Sequence, residues 1–91
     1  MNPTSELPPE KKRILYQSWH RGCKETDLVL GPFAEAFLPQ CSEEGFQQFV
    51  ALLAEEDWDI WDWVTNYPHH TPAAHRAVMA EIHQHWQKRH A

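Results

Sequence analysis

Between its prolines and glycines this chain spaces its apolar residues by three and four positions far more often than by two, and that period dictates helices. Ile14, Leu15, Ser18 and Trp19 fall on one side of a first helix, and Leu30, Phe33 and Phe37 on one side of a second. Phe46, Phe49, Val50 and Leu53 mark a third, Ile60, Trp63 and Val64 a fourth, and His75, Val78, Met79, Ile82 and Trp86 a fifth. β-Branched residues are few, so nothing competes for strands. The expected fold is all-α: a compact single domain of about five short helices.

Local signals set the expected boundaries. The first helix runs from Pro9 to about Arg21 with Gly22 as its stop, and the second from about Glu25 to Phe37, with Pro32 expected to bend or break it. Ser42 is the expected N-cap of the third, with Glu43 and Glu44 in its first turn. Asp57 or Asp59 caps the fourth, which closes near Asn66 and Pro68, and Thr71 and Pro72 read as N-cap and first residue of the last. At 91 residues there is room for one domain, and five tryptophans and four phenylalanines supply its core. Residues 1–8 are expected to form a disordered tail and 9–91 the domain.

Charge narrows the partners. The formal net charge is −5, and residues 25 to 75 hold ten Asp or Glu and no Lys or Arg. A nucleic-acid binder needs clustered cations, so none is expected here. No apolar run approaches the ~20 residues of a membrane span, and the start of the chain resembles neither a secretory nor a mitochondrial leader. Cys23 and Cys41 then read as reduced thiols, and a bacterial cytoplasm is the expected location.

The usual chemistries find little support. Seven histidines invite a metal, yet no His-Glu-x-x-His or Cys-x-x-Cys pair is present. Cys23 lies three positions from His20, but no third group nearby orients them as nucleophile and base. Asp57, Asp59 and Asp62 resemble helix-capping residues more than a catalytic carboxylate pair. There is no glycine-rich nucleotide loop, so no stably bound cofactor is expected. The turn from His20 to Glu25 remains: Gly22 permits positive φ and close approach, while Arg21 and Glu25 offer a donor fork and an acceptor. On physical grounds alone an ordinary helix stop is favoured over a docking corner.

Here the chain resembles a known family. Tyr16-Gln17-Ser18-Trp19-His20-Arg21-Gly22-Cys23-Lys24-Glu25-Thr26-Asp27 is similar to the Tyr-x-Ser-x-x-Arg-Gly-x-x-Glu-x-Asp signature of the succinate dehydrogenase flavinylation factors, the SdhE family, related to mitochondrial succinate dehydrogenase assembly factor 2. Asp57-Trp58-Asp59-Ile60-Trp61-Asp62-Trp63 resembles that family's second, Asp-x-Asp-Leu-x-x-Trp segment, and Cys23 stands where many members carry Met. The resemblance implies a non-catalytic assembly factor of five helices, and a monomer is expected. It would promote covalent attachment of FAD to a histidine of the succinate dehydrogenase flavoprotein subunit and, in bacteria, of the related fumarate reductase subunit. It further implies that Arg21, Gly22 and Glu25 face the partner near its FAD, flanked by Tyr16, Ser18, His20 and Asp27. A small regulatory helical protein of antitoxin type, with another partner, is the alternative.

Overall fold

The computed structural model describes residues 7–90 and is built from five α-helices: α1 (Pro9–Trp19), α2 (Lys24–Phe37), α3 (Glu43–Leu53), α4 (Asp57–Thr65) and α5 (Arg76–His90). A 3-10 turn, Ala73–His75, leads into α5. The all-α expectation holds. Of the expected tail, residues 1–6 lie outside the described residues, while Leu7 is buried against the core.

α2 is the central element, packing against α1, α4 and α5. The core forms where the apolar stripes meet: Leu30, Leu38, Phe46, Phe49, Leu52, Ile60, Val64, Val78, Met79 and Ile82 are almost wholly buried. Each such side chain contributes about 1.5–3 kcal/mol on leaving water. Phe33, Phe37 and Phe49 pack ring against ring, with centroids 4.9 to 5.6 Å apart. Trp63 is buried too, whereas Trp61 is partly buried and meets Trp86 edge-on at 6.3 Å.

The helix ends show which local signals prevailed. Ser42 caps α3 as expected, its Oγ accepting from the Gly45 amide at 3.0 Å. α2 does not break at Pro32 but continues to Phe37. Residues 29 to 34 are all buried, so packing against the neighbouring helices outweighs the lost hydrogen bond. Trp19 of α1 packs on α2 at Gly31, its indole filling the space a Cβ there would need.

Three boundaries differ from expectation. α1 stops at Trp19 with His20 as C-cap, which frees Arg21 to leave the helix. α4 has Glu56 at its N-cap with no side-chain bond; the Asp57 carboxylate is engaged elsewhere and Asp59 is not the cap. The last helix does not start at Thr71 and Pro72, because the 3-10 turn intervenes and the Thr71 hydroxyl bonds back to the His69 carbonyl. None of the helices among the described residues is long and apolar enough to cross a membrane.

Candidate functional site

The turn between α1 and α2 is built on Arg21. Its Nε donates to Asp57 Oδ1 at 2.6 Å, its Nη1 to the Leu53 carbonyl at 2.7 Å, and its Nη2 to the Glu55 carbonyl at 2.7 Å. Leu53 is the last residue of α3, where carbonyls have no partner within the helix and the helix dipole is negative. Asp57 opens α4. A single planar cation thus closes one helix, opens the next and ties both to the α1–α2 turn.

The turn's own residues complete the clamp. The Arg21 amide donates to Asp27 Oδ1 at 2.8 Å. The buried Thr26 hydroxyl lies 3.0 Å from the Cys23 carbonyl and 3.2 Å from Asp57 Oδ1, two acceptors for its one proton. Ser18 is also fully buried, its Oγ donating to the Ile14 carbonyl at 2.8 Å. Among the described residues no buried side-chain nitrogen or oxygen lacks a partner.

The motif residues therefore divide into two sets. Ser18, Arg21, Thr26 and Asp27 hold the turn from within. Tyr16, His20, Gly22 and Glu25 are exposed. Tyr16 and His20 stack with ring centroids 4.1 Å apart. Gly22 has φ +92°, a conformation costly for any residue with a Cβ, and nothing stands within 4 Å of where a Cβ would project. The Glu25 carboxyl is held below the usual carboxylate range by its own backbone N–H first, and then by the Cys23 thiol at 3.3 Å. It is an ionised acceptor at neutral pH.

This arrangement corrects one expectation drawn from residue types. Arg21 is not a free fork, because each of its three guanidinium nitrogens already donates a hydrogen bond within the chain. Asp57 is the site residue that sequence reasoning missed. The acidic segment that contains it was visible and its capping role was inferred, but not its pairing with an arginine 36 positions away.

The other candidate chemistries are dispersed. The Cys23 thiol points to Glu25, and His20 stacks on Tyr16 rather than pairing with it. Asp62 bonds His70 and Asn66, and Glu55 bonds His75 at 2.8 Å. Among the described residues no group of three or more His, Cys, Asp or Glu is placed to hold a metal ion. The surface clefts lie between α2 and α5, around Phe37, Gln40 and Glu81, away from the turn.

What the turn provides is a rigid corner with a bare glycine at its apex and an ionised carboxylate and a stacked aromatic pair beside it. Such a surface has the means to dock closely against another protein. The Sdh5 family, described as flavinator of succinate dehydrogenase, matches residues 12–86. Mitochondrial succinate dehydrogenase assembly factor 2 of Saccharomyces cerevisiae (strain YJM789) is 44% identical over 59 residues, 65% of this chain and 36% of the yeast protein. The proteins of the same name are 41% identical over 76 residues in Candida glabrata and 38% over 77 in Yarrowia lipolytica, covering 84% and 85% of this chain. The chain spans between 36% and 53% of the length of these relatives. No solved structure matches it.

Proposed function

This chain belongs to the family of succinate dehydrogenase flavinators, and from that premise we propose that it binds the flavoprotein subunit of succinate dehydrogenase and promotes covalent attachment of FAD to a histidine of that subunit. The observation that carries the reading is the division of the motif: Arg21 is locked inward while Gly22, Glu25, Tyr16 and His20 are held outward as one surface. The related fumarate reductase subunit is a second client with the same chemistry. The working form is a monomer in the bacterial cytoplasm, where the flavoprotein subunit folds.

The chain acts as an assembly factor and contributes no nucleophile. The bond forms between the flavin and the partner's own histidine. What the factor adds is placement: holding the partner so that reacting atoms meet lowers a barrier by about 7–11 kcal/mol in favourable cases. Gly22 lets the two backbones approach, and Glu25 receives a donor from the flavoprotein. Asp27 and Ser18 serve this surface from within.

Deleting the gene in its host and recording in-gel fluorescence of the denatured flavoprotein subunit tests the proposal. Covalent flavin should fall on deletion and return when the wild-type chain is restored. An unchanged signal in the deletion strain would refute it.

A further inference from the structure

Among the described residues only three large apolar side chains are exposed: Tyr16 at 65%, Leu28 at 52% and Trp58 at 68%. They come from three different helices, yet each borders a residue of the Arg21 clamp. Tyr16 stacks on His20, the residue before Arg21. Leu28 follows Asp27, which accepts the Arg21 amide, and Trp58 follows Asp57, which accepts the Arg21 Nε. The large apolar side chains that stay exposed thus belong to three of the helices whose ends the Arg21 clamp joins.

Trp58 is the informative member. α4 meets the core through Ile60, Trp63 and Val64, so the fold has no need of an indole in its first turn. An exposed tryptophan of this kind is costly in water and is the residue type most enriched among interface anchors. Its sequence neighbours Glu56 and Asp59 are exposed carboxylates, and the exposed Glu25 belongs to the turn that Arg21 ties to Asp57. An exposed indole in so acidic a segment suits a cationic side chain, which gains a cation–π contact there.

We propose that the docking surface extends beyond the α1–α2 turn onto α4, with Trp58 as an anchor that receives a lysine or arginine of the flavoprotein subunit. The inference rests on the function proposed above and adds a residue and a partner chemistry to it. Continuity argues for one occupant: Trp58 is tied through Asp57 to the same arginine that sets Gly22 in place.

The test measures binding of the full-length chain to the purified apo flavoprotein subunit, for wild type, Trp58→Ala, Trp58→Phe and Gly22→Trp. Trp58→Ala should bind about 30-fold more weakly, the loss typical of an aromatic anchor, with an unchanged thermal melt, and Trp58→Phe should recover part of the affinity. Wild-type affinity in Trp58→Ala, with binding abolished in Gly22→Trp, would overturn the extension and leave the proposed function standing. Failure of the wild-type chain to bind would remove both. If Trp58→Ala does not fold, a photo-crosslinking residue at position 58 decides: a crosslink to the flavoprotein supports the anchor, and its absence overturns it.

Discussion

The Arg21 guanidinium and the Asp57 carboxylate meet at 2.6 Å, with side chains only 13% and 23% exposed, and this pair joins the α1–α2 turn to the start of α4. Two further bonds from the same guanidinium satisfy the Leu53 and Glu55 carbonyls. The consequence is that a motif read as a contact surface is first a structural device.

Replacing Arg21 by Ala leaves Asp57 without its cation and two carbonyls without donors. Urea unfolding should show a loss of about 3 kcal/mol, within the range for breaking a largely buried pair. Arg21→Lys should recover only part of this, because an ammonium on a flexible stem does not reproduce a fork serving three acceptors. Flavin attachment should fall in both variants in step with loss of the turn's geometry.

Helix number, the Ser42 cap, the Gly22 turn and the buried stripe of α5 were all legible in the sequence, because each depends on residues within one or two turns of each other. The direction of Arg21 was not, since its carbonyl acceptors lie 32 and 34 positions away and carry no side-chain signature. Ser18 is instructive: helical spacing set it beside Ile14, the motif set it beside a partner, and its side chain is buried. The break that Pro32 allowed for did not occur, because its effect is local while the packing that overrides it is not.

Gly31 illustrates a reversal of an ordinary rule. Alanine in place of glycine within a helix normally stabilises by about 1 kcal/mol. Here a Cβ would stand 2.2 Å from Trp19 Cδ2, inside a rigid ring. Gly31→Ala should therefore destabilise by about 1–3 kcal/mol, and adding Trp19→Leu should return part of that loss in a double-mutant cycle.

Asp62 offers a test in acid. Its carboxyl is held below its usual value chiefly by the hydrogen bond from His70, with Asn66 assisting. A depressed folded-state pKa contributes stability that is present above the unfolded value and lost as the pH falls through the folded one. An NMR titration of the Asp62 carboxyl should show a midpoint below that of an ordinary aspartate, moving upward in His70→Ala. An unmoved midpoint would remove His70 as the cause.

The central claim is that the Arg21 clamp holds Gly22 outward for close contact with the flavoprotein, and Gly22→Trp tests it most directly. No atom of the chain stands within 4 Å of where a Cβ would project, so the expected cost to folding is the strain of φ +92°, about 1–2 kcal/mol. In a reconstituted reaction of flavoprotein subunit, FAD and assembly factor, the variant should melt as a folded domain and leave the subunit without covalent flavin. Wild-type flavin attachment by a folded Gly22→Trp chain would contradict the account.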